Sequence, residues 1–257
     1  MADIHPSAVV APGAQLATDV VVGPFCCVGP EVSLGAGTRL ISHVVVSGFT
    51  RVGAGCVFFP FASIGVQTQD LKFKGGRPGT VIGDHTTVRE NVTIHAATDD
   101  GNLTVIGSHG HIMAYAHVAH DCRIGDHVIL SNGAQLAGHV QVEDHAIVSA
   151  MTGVHQFGRV GRYSFIGAYC KVTQDVPPYM LVDGVPARVP APNAVGLKRA
   201  GFSEETQRAL KQAHRLLFRS ELATGEALRQ IEETVEQTPE VRHLVAFVRA
   251  SERGIVK

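Results

Sequence analysis

Every sixth residue along most of this chain is apolar. The series begins at Ile4 and runs through Val10, Leu16, Val22, Val28, Leu34, Leu40, Val46, Val52, Phe58 and Ile64. It resumes in the same phase at Ile82, Val88 and Ile94, and again from Ile106 to Val172. Of the 29 positions in the series, 26 are aliphatic or Phe, and the exceptions are Asp70, Gly76 and Asp100. Gly often follows the apolar position, as at Gly23, Gly53, Gly83, Gly107 and Gly125. Period six suits neither a helix nor a hairpin sheet. It predicts a left-handed parallel β-helix in which each short strand sends one aliphatic side chain inward and then turns a corner. Three hexads close one triangular coil of about 18 residues, and coils stack at roughly 4.8 Å. The 29 hexads predict between nine and ten coils.

Two stretches leave the repeat without changing its phase, Gln67 to Thr80 and Thr98 to Thr104. They read as loops expelled from the coils, a common place for binding residues on a solenoid. Pro177, Pro178, Pro186, Pro190 and Pro192 end the repeat. From Asn193 the pattern turns helical. Ser203 is placed to cap a helix from Glu204 to about Arg219, and Pro239 to open a last one through about Arg249. The expected organisation is a β-helix over 1–178 and a small α-helical domain over 179–257.

Composition narrows the function. The chain has 257 residues with 22 Lys+Arg against 23 Asp+Glu, a formal net charge of −1. That balance argues against bulk binding of nucleic acid. No apolar run reaches the ~18 residues of a membrane span, and the first residues lack the basic and apolar regions of a secretory signal. Cys26, Cys27, Cys56, Cys122 and Cys170 form no C-x-x-C pair and read as small buried residues of a cytoplasmic protein.

Histidine is the remaining oddity: ten of the 14 lie between His85 and His155. Val118, Leu136 and Val154 are 18 residues apart, so they stack on one face. His120, His139 and His155 follow them closely and fall on that face in consecutive coils. His117 ends the preceding hexad at the corner beside them, and the loop around Asp100 replaces the hexad below. His43, His85, His127 and His145 read as solvated surface. Three readings of the stacked histidines stand open: solvated side chains, a metal site, and general-base chemistry.

Several segments carry a resemblance. His117-Val118-Ala119-His120-Asp121-Cys122, Leu136-Ala137-Gly138-His139-Val140, Val154-His155-Gln156-Phe157, Gln174-Asp175-Val176-Pro177-Pro178-Tyr179 and Gly196-Leu197-Lys198-Arg199-Ala200-Gly201-Phe202 resemble motifs of the hexapeptide-repeat UDP-N-acetylglucosamine 3-O-acyltransferases, and the likeness covers nearly the whole chain. The resemblance implies a homotrimer with active sites between neighbouring prisms. It implies transfer of a 3-hydroxyacyl group from acyl carrier protein to the 3-hydroxyl of UDP-N-acetylglucosamine, the first step of lipid A biosynthesis, with no metal or cofactor. Carried over by motif, His120 is the general base, Asp121 orients it, and the Ala150 backbone N–H holds the oxyanion. Asp70, Lys72, His117, His139, His155 and Gln156 contact substrates, Asn193 and Arg199 meet the nucleotide, and Ala168 limits the acyl chain. Ala150 and Ala168 stand where the family often has Gly, Val195 where it has Glu, and Ala200 where it has a second Arg.

Arg208, Lys211, Arg215 and Arg219 form one helix stripe, suited to an acidic partner such as acyl carrier protein. The alternatives are the same transfer to an amino analogue of the sugar, a trimeric zinc β-helix carbonic anhydrase, and a non-enzymatic scaffold. The related N-acyltransferase normally carries an extra N-terminal domain, for which a repeat starting at Ile4 leaves no room.

Overall fold

The computed structural model describes all residues, 1–257. Each apolar position of the repeat lies in its own short strand, from Asp3–Ile4 to Lys171–Val172, giving 26 strands. These form three parallel sheets, the faces of a triangular prism. The coil is the left-handed parallel β-helix that the repeat predicts. The first sheet carries the inward residues Ile4, Val22, Leu40 and onward; the second carries Val10, Val28, Val46; the third carries Leu16, Leu34, Val52. From Val22 onward the inward side chains are almost fully buried. The positions at Asp70, Gly76 and Asp100 contribute no strand, so the prism has just under nine coils rather than nine to ten.

A second inward position supports the first. Two residues before each aliphatic stands a small residue, such as Val20, Cys26, Thr38, Ala62, Ala116, Val128 or Ala146, and these too are buried. The corner is too tight for anything larger, and some of the buried threonines there hand their hydroxyl protons to backbone carbonyls, as Thr38 does to Gly53 (2.9 Å) and Thr152 to Gly167 (2.8 Å). Cys26, Cys56, Cys122 and Cys170 hold this position; Cys27, one residue later, faces outward and is exposed, against expectation.

At most corners the third residue after the inward aliphatic adopts a left-handed backbone. Asp121 (φ 60°), His139 (φ 61°) and Phe157 (φ 63°) do so between the second and third sheets. Such φ values cost roughly 1–2 kcal/mol for residues with a Cβ. Ring stacking up the corner offsets part of that cost. His139 stacks on Phe157 at 4.5 Å, and His109, His127, His145 and Tyr163 stack in series along the corner between the third and first sheets. Of the residues expected as solvated surface, His127 is exposed but His145 is half-buried, and both are ordered by the stack.

Both expelled loops leave at the corner between the second and third sheets. Strand Ser63–Val66 of the second sheet is followed, after the first loop, by Gly79–Ile82 of the third; Thr93–His95 is followed, after the second, by Leu103–Ile106. The loop around Asp100 does not replace a hexad below Val118. Inserted residues shift the count, and Ile94 pairs directly with Val118.

Past the repeat, strand Met180–Asp183 pairs parallel with Phe165–Ile166 and antiparallel with Arg188–Pro192. The first sheet thus continues through residues expected to be helical. Four helices follow: α1 Ala194–Arg199, α2 Glu204–Phe218, α3 Thr224–Thr234 and α4 Pro239–Arg249. Ser203 caps α2 by accepting from the Thr206 N–H, and Pro239 opens α4. Helix α3 was not expected; it has no side-chain cap to mark its start. No helix is long and apolar enough to cross a membrane.

Because each coil leans on its neighbours, an inward truncation should be costly anywhere in the middle of the prism. Leu130→Ala, at a fully buried position, should lower stability by about 2–5 kcal/mol in a urea melt.

Candidate active site

The corner between the second and third sheets brings His120, Asp121 and His139 together. His120 Nδ1 lies 2.8 Å from Asp121 Oδ2, and the rings of His120 and His139 meet edge to face at 5.2 Å. Asp121 is held from three sides. Its Oδ2 also accepts from the Thr98 N–H (3.1 Å), its own N–H donates to Thr104 Oγ1 (2.9 Å), and its side chain is only 8% exposed. A carboxylate only accepts, so the proton of the shared bond lies on Nδ1, and Nε2 of a neutral His120 keeps its lone pair. Adjacent residues in an ordinary strand point to opposite faces. The left-handed turn at Asp121 is what lets two neighbours in sequence face each other.

The two loops lock over this pair. Thr68 and Thr98, both buried, share a hydroxyl hydrogen bond of 3.2 Å. Thr68 Oγ1 accepts from the Asp70 N–H, and Asp70 Oδ1 from the Lys72 N–H. Asp70 Oδ2 comes to 3.8 Å from His120 Nε2, too long for a hydrogen bond. Lys72 is exposed on the same loop.

His117 sits on the strand His117–Val118 rather than at the corner. Its Nδ1 is 2.7 Å from Thr93 Oγ1, and its ring meets His95 edge to face at 4.9 Å. Burial lowers its pKa to about 4, and the neighbouring His95 and His120 push the same way. His95 is buried and lowered by burial and then by His120. Neither His95 nor Thr93 was singled out in the sequence. His155 and Gln156 are exposed one coil further on, where His155 Nδ1 lies 3.2 Å from an Arg253 guanidinium nitrogen. His155 is thereby turned toward the C-terminal strap, residues 250–257 after α4, instead of joining His120 and His139.

Ala150 follows Val148 by two and lies on the corner between the first and second sheets, as does the exposed Ala168. In this chain Ala150 therefore does not stand beside His120. Gly138 does: a Cβ built there would come within 2.5 Å of His120 Cε1 and Nε2. The closeness of that backbone to the ring is invisible in sequence, although the glycine is not. Asn193 caps α1 by accepting from the Gly196 N–H (3.1 Å) and donates to the Tyr163 carbonyl (2.9 Å). Its side chain is thus committed to structure at the third corner, and Arg199 ends the same helix. Arg208, Lys211, Arg215 and Arg219 are all exposed on or just past α2, with Arg219 donating to the Pro190 carbonyl.

A histidine hydrogen-bonded to a buried carboxylate, on a hexapeptide prism with a helical cap, is the arrangement of an acyltransferase-type site. Comparison with known proteins makes this particular. Residues 175–256 match the family described as Udp N-acetylglucosamine O-acyltransferase, domain 2, and residues 103–138 match the bacterial transferase hexapeptide family. The chain is 47% identical to the acyl-[acyl-carrier-protein]–UDP-N-acetylglucosamine O-acyltransferase of Thermodesulfovibrio yellowstonii and 45% identical to that of Stutzerimonas stutzeri, each over the full length of both chains. The solved UDP-N-acetylglucosamine acyltransferase of Bacteroides fragilis superposes with a TM-score of 0.97 at 38% identity, covering 99% of this chain and 100% of that one. The chain belongs to the UDP-N-acetylglucosamine O-acyltransferase family and is an acyltransferase. This sets aside the carbonic anhydrase and scaffold alternatives, even though ligand atoms of His120, Asp121 and His139 lie within 4.8 Å of one another.

The depressed pKa of His117 has a measurable sign. The unfolded chain takes up this proton near pH ~6.5, the folded chain only at about 4. Acidification through that window therefore draws stability away from the fold. In a histidine NMR titration the His117 signals should stay neutral down to pH 5; a midpoint near 6.5 would contradict the packing described.

Proposed function

We propose that the chain transfers a 3-hydroxyacyl group from acyl carrier protein to the 3-hydroxyl of UDP-N-acetylglucosamine, the first step of lipid A biosynthesis, with His120 as general base. The observation that carries this reading is the 2.8 Å bond from His120 to the locked Asp121 carboxylate, which frees Nε2 on the open side. An alcohol is a poor nucleophile at its own pKa, so a placed base is needed. The 3.8 Å gap between Nε2 and Asp70 Oδ2 suits a sugar hydroxyl that hands its proton to Nε2 while Asp70 receives a neighbouring hydroxyl. The oxygen attacks the thioester carbonyl, the tetrahedral intermediate collapses, and the thiol leaves with the proton from His120. A thioester is already activated, so the step requires no cofactor. Lys72, His117, His139, His155 and Gln156 line the approaches and contact the two substrates. Asp121 orients the base and stabilises the imidazolium that forms.

The site is completed by further copies in a homotrimer. Asn193 and Arg199 stand at a different corner of the prism from His120, and so do Ala150 and Ala168. One chain cannot bring these sets together. The corner carrying Ala150 and Ala168 also exposes Phe25, Phe61, Tyr115, Met151 and Tyr169 in a ridge along the prism, an apolar edge that a neighbour would cover. In that assembly Ala168 limits the acyl chain, the Ala150 N–H serves a neighbour's oxyanion, and Arg199 meets the nucleotide. The stripe of Arg208, Lys211, Arg215 and Arg219 docks the acidic carrier protein.

Acyl transfer from a panel of 3-hydroxyacyl carrier proteins to UDP-N-acetylglucosamine, with EDTA present, tests this reading. Turnover is expected, and His120→Ala should reduce it by roughly 10²–10⁴-fold without loss of assembly. Turnover with an amino-sugar acceptor alone would overturn the acceptor assignment. Reversing Arg208, Lys211 and Arg215 to Glu should raise the KM for the carrier protein and weaken its salt dependence; an unchanged KM would return the stripe to ordinary solvated surface.

A further inference from the structure

Five arginines of this protein carry an ion pair, all at the surface: Arg77 with Glu31, Arg89 with Glu90, Arg162 with Asp144, Arg229 with Glu226 and Glu233, Arg249 with Glu232. Three others converge on one groove with no carboxylate partner. The groove runs up the outer face of the third sheet from the His139 corner to the C-terminal strap. Its floor is the outward row Arg123, Gln141 and Arg159, paired in register on successive strands. Arg253 overhangs it from the strap.

Two of these guanidiniums are positioned by neutral groups. Arg159 lies over the Phe247 ring at 4.1 Å and donates to the Ala250 carbonyl at 3.3 Å. Arg253 bonds to His155 Nδ1 at 3.2 Å. Arg123 is exposed, and its side chain makes no hydrogen bond or ion pair. The carboxylates at the groove are mostly spoken for. Asp121 is taken by His120 and Thr98. Asp175 is 1% exposed and accepts from the Arg159 N–H and the Ser251 hydroxyl. That leaves Glu252 as the one exposed acid against three guanidiniums. Cationic forks that outnumber the one exposed acid and pair with none, in a concavity that opens beside the His139 corner, are arranged for a multidentate oxyanion.

We propose that this groove binds a phosphate group of a substrate, with Arg123 as its unengaged ligand. The proposal rests on the acyltransferase reading and deepens it. Two substrates of that reaction carry the required chemistry: the sugar nucleotide has a diphosphate, and the acyl carrier arm a phosphodiester. Arg159 and Arg253 preset the geometry, and Arg123 closes on the anion.

Steady-state kinetics of Arg123→Ala, Arg123→Glu and Arg123→Lys test the assignment, with each substrate varied in turn. Loss of one charge-assisted hydrogen bond should raise one KM by about tenfold or more, with kcat little changed. The Glu variant should be worse and the Lys variant partly restored. A rise confined to the nucleotide identifies the diphosphate; a rise confined to the carrier identifies its phosphodiester; either supports the groove. KM values within about twofold of the unaltered protein for both substrates would overturn it, as would a change only in assembly or melting temperature. Equilibrium titration with UDP and with phosphopantetheine keeps the two readings separable. If the unaltered protein does not turn over, the reaction is wrong, and Arg123→Glu still decides whether the groove holds phosphate.

Discussion

One aliphatic side chain per hexad, pointing into a triangular core, is the constraint on which the molecule depends. Each such side chain contributes roughly 1.5–3 kcal/mol by burial, and each fixes the rise and phase of its coil. A slip of one residue would turn the row outward, so the register is rigid over the prism. That rigidity places functional side chains without any dedicated scaffold. His120 and Asp121 are near neighbours of Val118 in sequence, and the buried Val118 pins where their corner lies. The left-handed turn at the corner then folds the carboxylate against the imidazole.

The expelled loops are the one departure from regularity, and they are spent on the same corner. Each leaves the second sheet and re-enters the third, so their tips meet over His120. Thr98 supplies a backbone donor that keeps Asp121 in place, and Thr68 ties the Asp70 segment to Thr98. Around this centre His95 and His117 are kept neutral by burial. Asp70 and Asp121 are then the carboxylates that flank His120.

Sequence alone made the fold legible because a period-six pattern has one architectural solution, and every apolar position of the series found a strand. It also gave the caps of α2 and α4, where Ser203 and Pro239 act through local chemistry. It misplaced what depends on counting across insertions or between chains. An 18-residue count ignores expelled residues, so it points to the Asp100 loop below Val118 where Ile94 in fact pairs. Motif order likewise says nothing about which corner a residue occupies: Ala150 lies at a different corner from His120, and Gly138 is the residue whose backbone approaches the His120 ring. The hairpin from Met180 to Pro192 was hidden by its prolines, which sit at edge and turn positions a sheet can tolerate. Thr93, His95 and Arg253 carried no local signal, since their partners lie in other coils or in the C-terminal strap.

In the proposed assembly one prism supplies the base while a second copy supplies the nucleotide contacts. Subunit mixing tests it most directly. His120→Ala and Arg199→Ala proteins, each nearly inactive alone, would be unfolded together and reassembled. If His120 and Arg199 serve one site from different chains, activity should return to on the order of a quarter of the unaltered rate, the share that random mixing gives. No recovery in assembled mixtures would contradict a shared site and confine the chemistry to a single chain.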